Sequence, residues 1–151
     1  MKSLYNPLGF VAPVTIQGKA LLRELSMETS DWDAPLPPNK EKQWEKWRES
    51  LKELQHLKMP SLLQRPSTKN SVFSDASEQA IAAVAYSKIS DAEGNCHTGF
   101  VLGKARWAPR PEQTIPRLEL CAAVMAVDMA ELITSEIDIK FDTVTFYTTA
   151  K

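Results

Sequence analysis

The chain has 151 residues, of which 43% are hydrophobic and 25% charged, a composition typical of a globular protein with one ordinary domain or two small ones. Its formal net charge of −1 excludes binding to nucleic acid through overall positive charge, so any such contact must be local. Cys96 and Cys121 belong to no CxxC or Cys/His cluster, which disfavours a disulfide scaffold or a structural zinc site. The apolar runs are too short for a membrane span or a signal peptide, so we expect an intracellular protein without a membrane partner, with cytoplasm and nucleus left open.

Residues 1–65 are predicted to form a small helical unit. Asn6 and Pro7 have the pattern of a helix start, Pro13 interrupts it, and a helix is then expected over 14–28. A proline-rich linker follows, and Asn39 is predicted to cap a second helix. Apolar residues at spacings of three and four predict one buried face on this second helix: Trp44, Trp47, Leu51, Leu54 and Leu57.

From residue 66 to 151 the pattern changes to the alternation of polar and apolar residues that is typical of strands. The predicted elements are strands at 71–75, 81–89 and 97–106, a helix at 117–136 with Thr114 as its cap, and a strand at 144–147. The order βββαβ predicts an α+β or α/β module, in which three antiparallel strands are followed by a crossover helix. The last strand is then expected to pair parallel to the first.

Two acidic residues stand where this order of elements would bring them together. Asp75 ends the first strand, and Glu119 is expected in the first turn of the helix, on the side of small residues that would pack on the sheet. A carboxylate on a packed face is costly unless a partner neutralises it. Glu119 therefore either caps the helix start or binds a cation together with Asp75, and the residue pattern leaves both interpretations open.

Four motifs resemble the Bel/Pao-type retrotransposon polyprotein, in the segment called the Pao retrotransposon peptidase. They are YNPLGFVAPV at 5–14, DWDAPLP at 31–37, FSDAS at 73–77 and IPRLEL at 115–120. The resemblance spans essentially the whole chain, in the same order and at similar spacing. It implies that residues 1–65 correspond to the connection that follows a reverse transcriptase. Residues 66–151 then correspond to a ribonuclease H-like domain that is incomplete at its C-terminal end.

The resemblance also implies a chemistry. In such modules an acidic cluster binds two Mg²⁺ or Mn²⁺ ions and cuts RNA in an RNA/DNA hybrid. Asp75 matches the first acid and Glu119 the second, but Thr149 stands where the family has its third acid. A hydroxyl is a weak ligand for these ions, so the resemblance implies a vestigial site that binds no ion tightly. The partners that it implies are a hybrid or the remainder of a reverse transcriptase polyprotein.

Two other functions stay open. The chain could be a non-catalytic module that binds nucleic acid or protein, with a local basic patch around Trp107. The residues of this patch are Lys104, Arg106, Arg110 and Arg117. The family name suggests an aspartic peptidase, but such enzymes need an Asp-Thr/Ser-Gly turn, and Asp75 is followed by Ala76 and Ser77. Proteolysis is therefore disfavoured, and the sequence does not indicate an oligomeric state.

Overall fold

Three α-helices and four β-strands are present in the part of the chain that the computed structural model describes, which is residues 6–28, 31, 33–58, 69–90, 95–109, 111–137 and 141–149. The elements are α1 Ala12–Glu28, α2 Pro38–Glu53, a 3₁₀ turn Leu54–His56, β1 Lys69–Ala76, β2 Ala80–Ser90, β3 Cys96–Trp107, α3 Ile115–Glu136 and β4 Thr143–Thr148. This order confirms the predicted fold class. None of these helices combines the length and the apolar character that a membrane span requires.

The helical half of the chain is held by the contact between α1 and α2. Gly18 leaves room for the buried ring of Trp47, whose Nε1–H donates a hydrogen bond of 2.8 Å to the carbonyl oxygen of Val14. Lys40, at the start of α2, is paired with Glu24 of α1. The hydrogen bond that Lys40 donates to Glu24 raises the pKa of Lys40 above its ordinary value of 10.5. An aromatic ring and a lysine that pairs with Glu24 and with Glu28 of α1 therefore fix the two helices to each other.

The described residues fall into two units by their contacts, namely 11–58 and a second unit in which 6–10 joins 69–149. The boundary predicted near residue 65 lies in 59–68, outside the described residues. The segment 6–10 contacts β3, where Gly103 N–H donates to the carbonyl oxygen of Leu8 at 2.8 Å and the Phe10 ring meets Phe100 at 5.0 Å. Close backbone approach therefore places this segment against the sheet.

The helix start predicted at Asn6 and Pro7 is wrong, because these residues form a turn in which Gly9 N–H donates to the Asn6 carbonyl oxygen at 3.2 Å. Gly9 has a φ of 72°, and a Cβ there would lie 1.6 Å from the carbonyl oxygen of Gly103. Only glycine fits both the backbone angle and the approach. Helix α1 consequently begins later, at Ala12.

The four strands form one mixed sheet in the order β3-β2-β1-β4. The pairs β1–β2 and β2–β3 are antiparallel, and β4 is parallel to β1, which confirms the predicted crossover through α3. The turn predicted between β2 and β3 lies mostly in 91–94, outside the described residues. Because β1 and β4 run in the same direction, their carboxyl ends meet at one edge of the sheet.

Helix α3 covers one face of the sheet. The residues that pack there come from one side of α3 and from alternate positions on the strands: Val72, Ile81, Ala83, Ala85, Leu118, Ala122, Met125, Ala126, Met129, Ala130 and Ile133. The alanines of α3 let the helix approach the strands closely, and Leu118 and Met129 are the largest side chains of α3 that are fully buried. The opposite face of the sheet carries exposed aromatic residues, among them Phe73 and Tyr147.

Candidate functional site

Asp75 and Thr149 meet at the carboxyl ends of β1 and β4. The parallel register pairs Ser74 with Thr148, so the next residue of each strand lies beside the other. Thr149 Oγ1–H donates a hydrogen bond of 2.5 Å to Asp75 Oδ1, and the N–H of Ala76 donates to the same oxygen at 2.9 Å. One carboxylate oxygen of Asp75 is therefore engaged by two donors of this chain.

An open depression surrounds this pair. It is lined by the end of β1, the turn that follows it, the start of α3 and Thr149; the residues are Asp75, Ala76, Ser77, Glu78, Gln79, Ile115, Glu119 and Thr149. The fold thus brings Asp75, Glu119 and Thr149 to one place although 30 to 74 positions separate them in the sequence. Their catalytic or metal-binding role stays a prediction.

Glu119 does not cap α3. The helix begins at Ile115, two residues earlier than predicted, so Glu119 is its fifth residue rather than part of its first turn. Capping by a glutamate uses the third helical position, from which the side chain reaches the free N–H groups of the helix start. The half-buried Glu119 side chain instead lines the depression next to Ile115. Thr114 occupies the N-cap position as predicted, without a hydrogen bond from its side chain to the helix.

Glu78 and Gln79 also line the depression, and the sequence did not single them out. They lie in the hairpin between β1 and β2, which Ser77 closes: its N–H donates to the Ala80 carbonyl oxygen at 2.8 Å, and its hydroxyl accepts from Ala80 N–H at 3.2 Å. The sequence contains a pattern from which their position could have been predicted, because a serine followed by two polar residues between strands predicts a turn, here next to Asp75.

The donors at this depression do not fit a centre with two divalent ions. In the described part of the chain no group of three or more His, Cys, Asp or Glu side chains lies close enough to hold a metal ion. Glu78 therefore does not complete a cluster with Asp75 and Glu119. Thr149 adds a neutral hydroxyl, whereas Mg²⁺ prefers charged carboxylates with ordered waters. The site has the position of an acidic metal centre but lacks its ligand charge.

The predicted basic patch lies elsewhere. Lys104 and Arg106 are on β3 and pair with Ala83 and Ile81, so both belong to the sheet face that α3 covers. Arg117 is exposed in the first turn of α3, and Arg110 lies outside the described residues. None of the three described cations lines the depression around Asp75. Their role in binding nucleic acid stays a prediction.

A mixed sheet, a crossover helix, an acid at the end of β1 and a second acid near the start of α3 are the features of a ribonuclease H-like module. The family model of the Pao retrotransposon-like RNaseH-like domain matches residues 1–150, and the chain belongs to this family. The family description names an RNaseH-like domain and gives no support to the peptidase interpretation. A comparison with curated proteins gives no match.

Proposed function

We propose that this chain is the ribonuclease H-like module of a retrotransposon polyprotein, with an ancestral activity against RNA in RNA/DNA hybrids and a metal site that is now impaired. The observation that carries the proposal is the hydrogen bond from Thr149 to Asp75 in the depression that Glu119 also lines. A threonine stands where the family motif has an acid, and its hydroxyl contacts the first acid of the site.

The site has too little negative charge for two divalent ions. Two divalent ions bring four positive charges, which the ancestral site balances with several carboxylates. Here Asp75 and Glu119 supply two negative charges, and one oxygen of Asp75 already accepts two hydrogen bonds. An ion bound to that oxygen would compete with the Thr149 hydroxyl and would gain no charge from it. We therefore expect weak ion binding and no hybrid cleavage.

The test compares the unmodified chain with Thr149→Asp. The new carboxylate would lie beside Asp75, and we expect Mn²⁺ affinity, measured by isothermal titration calorimetry, to rise by about tenfold or more because ligand charge sets the affinity of such sites. Thr145→Asp is the matched control, because Thr145 is also exposed on β4 but lies four residues, roughly 13 Å, away along the strand. The control is expected to leave Mn²⁺ affinity unchanged.

Metal affinity is the first readout because cleavage also requires the hybrid to be positioned. A second measurement follows hybrid cutting by the unmodified chain in Mg²⁺ and in Mn²⁺. Metal-dependent cutting that is lost in Asp75→Asn would refute the impaired site, and equal Mn²⁺ affinity of Thr149→Asp and Thr145→Asp would refute the role assigned to Thr149.

The proposed partner is an RNA/DNA hybrid or the remainder of a reverse transcriptase polyprotein. The feature that supports a hybrid is the group of cations on the α3 side of the sheet, Lys104, Arg106 and Arg117, which would contact phosphates. Gel shifts with hybrid duplexes at low and high salt test this partner. A salt-sensitive shift that weakens in Arg106→Gln supports it, and the absence of any hybrid shift at low salt refutes it.

A further inference from the structure

A row of aromatic rings crosses the sheet on the face opposite α3. Adjacent ring centroids are separated by 6.0 Å from Phe100 on β3 to Tyr86 on β2, by 6.1 Å from Tyr86 to Phe73 on β1, and by 4.7 Å from Phe73 to Tyr147 on β4. Phe10 packs against the Phe100 end of the row. The open part of the row therefore extends over Tyr86, Phe73 and Tyr147, which are 36%, 41% and 49% exposed.

The other residues of this face differ from those under α3. The strand register places lysines and hydroxyl residues around the rings: Lys69, Ser71, Lys88, Thr98, Thr143 and Thr145. On the described strands of this face Val84 is the bulkiest aliphatic residue, whereas the α3 side carries Val72, Ile81 and Ile89. A sheet face that packs against a protein layer is rich in aliphatic side chains. Rings, hydroxyls and lysines suit a ligand that is both aromatic and anionic.

Tyr147 presents a ring surface on which a further ring can stack. Its plane lies at 12° to that of Phe73, so the two rings are stacked and one face of Tyr147 is covered. Tyr147 is on β4, the edge strand of the described sheet, and is still 49% exposed. The outer face and the rim of its ring are the parts of the ring that Phe73 does not cover. A nucleobase placed there would extend the stack that Phe73 and Tyr147 begin.

Two lysines lie beside the middle of the row, on the central strands β1 and β2. Lys69 and Lys88 pair across β1 and β2, on the same face as Phe73 and Tyr86. Lys88 follows Tyr86 by two residues on the same face, about 7 Å along the strand, a distance that a lysine side chain is long enough to span. Positive charge at this place matches the phosphates that connect stacked bases.

We propose that the open face of the sheet binds single-stranded nucleic acid, with bases stacked on Tyr147 and Tyr86 and phosphates held by Lys69 and Lys88. Asp75 and Thr149 follow Phe73 and Tyr147 on the same face, away from the two lysines, so the surface borders the depression. It uses neither Glu119 nor the basic patch on the α3 side, and it does not depend on the proposed ancestral activity. Single strands fit better than a duplex, because only unpaired bases can offer their faces to rings on a sheet.

The test measures fluorescence anisotropy of a labelled 15-nucleotide oligo(dT), and of oligo(U), titrated with the full chain without divalent metal. Tyr147→Ala is expected to weaken binding by about tenfold or more, since a base that stacks on an aromatic ring contributes roughly 1–3 kcal/mol. Tyr147→Phe keeps the ring and is expected to stay within about twofold of the unmodified chain. Phe146→Ala is the matched control, because Phe146 is 44% exposed but lies on the α3 side of the same strand.

A second pair of variants removes charge without touching the rings. Lys88→Gln is expected to lower the slope of log affinity against log salt by about 0.7, the value for one phosphate contact on a single strand. Lys46→Gln, an exposed lysine of α2, is expected to leave both affinity and slope unchanged. Equal losses in Tyr147→Ala and Phe146→Ala, an unchanged slope in Lys88→Gln, or no binding of either oligonucleotide at low salt would overturn the proposal.

Discussion

Replacement of Gly18 by alanine tests the packing of the helical unit, because two effects of known size oppose each other. Alanine in a helix interior is favoured over glycine by about 1 kcal/mol. A Cβ at this position would, however, lie 2.3 Å from Cζ2 of Trp47, well inside contact distance. Trp47 cannot move freely, because it is 7% exposed and its Nε1–H is bonded to the Val14 carbonyl oxygen at 2.8 Å.

The expected cost of Gly18→Ala exceeds the gain. Overpacking costs about 1–3 kcal/mol, and loss of the Trp47 hydrogen bond about 0.5–1.5 kcal/mol. After the gain in helix propensity of about 1 kcal/mol we expect the free energy of unfolding to fall by about 0.5–3.5 kcal/mol, measured by urea denaturation with tryptophan fluorescence and far-UV circular dichroism.

Two further variants test whether the loss of stability comes from the clash with Trp47. Gln17→Ala, an exposed neighbour on α1, is expected to change the free energy of unfolding by less than about 0.5 kcal/mol. In a Trp47→Leu background the cost of Gly18→Ala should shrink, because the ring that clashes is gone. An increase in stability of about 1 kcal/mol in Gly18→Ala, as helix propensity alone predicts, would refute the reasoning.

The remaining predictions concern buried polar and charged groups. Asn70 is 0% exposed, and its side-chain oxygen and nitrogen have no hydrogen-bond partner among the residues that the structure describes. Asn70→Leu is therefore expected to raise the free energy of unfolding by about 1–3 kcal/mol in urea denaturation. A loss of stability in that variant would show that the amide is paired. The hydrogen bond that Lys40 donates to Glu24 raises the pKa of Lys40 above 10.5, so the stabilisation from this pair should be full below pH 10.5 and fall as the pH rises through the raised pKa. The stability difference between the unmodified chain and Lys40→Gln should therefore narrow above pH 10.5, and a difference that stays constant there would contradict the role of this pair.

The positions of the strands and of the third helix could be predicted because they depend on local patterns. Alternation along 71–75, 81–89 and 97–106 shows which residues face a core, and the apolar spacing after Pro116 shows a helix. Together with the right-handed crossover rule these patterns also gave the parallel pairing of β1 with β4. The meeting of Asp75 with the start of α3 followed from the same order of elements.

Contacts between distant residues could not be predicted in the same way. The position of residues 6–10 depends on Gly9 meeting the backbone of Gly103, and no local pattern records that approach. The prediction that Glu119 lies in the first turn of α3 was wrong, because the helix begins two residues earlier than its composition indicated. The link between Asp75 and Thr149 required the strand register, which pairing and not spacing decides.

The aromatic row was also predictable in part from local patterns, and the rest of it depends on tertiary structure. Each of Phe73, Tyr86, Phe100 and Tyr147 was visible in the sequence as one ring on one strand, and alternation gave the side of its strand. Their alignment across four strands depends on three registers, including a bulge between Ala85 and Tyr86. Local periodicity therefore determined the elements and the faces that they turn to the core. Only the pairing of the strands decided which outward residues became neighbours, because a shift of the pairing by one residue moves every side chain of a strand to the other face.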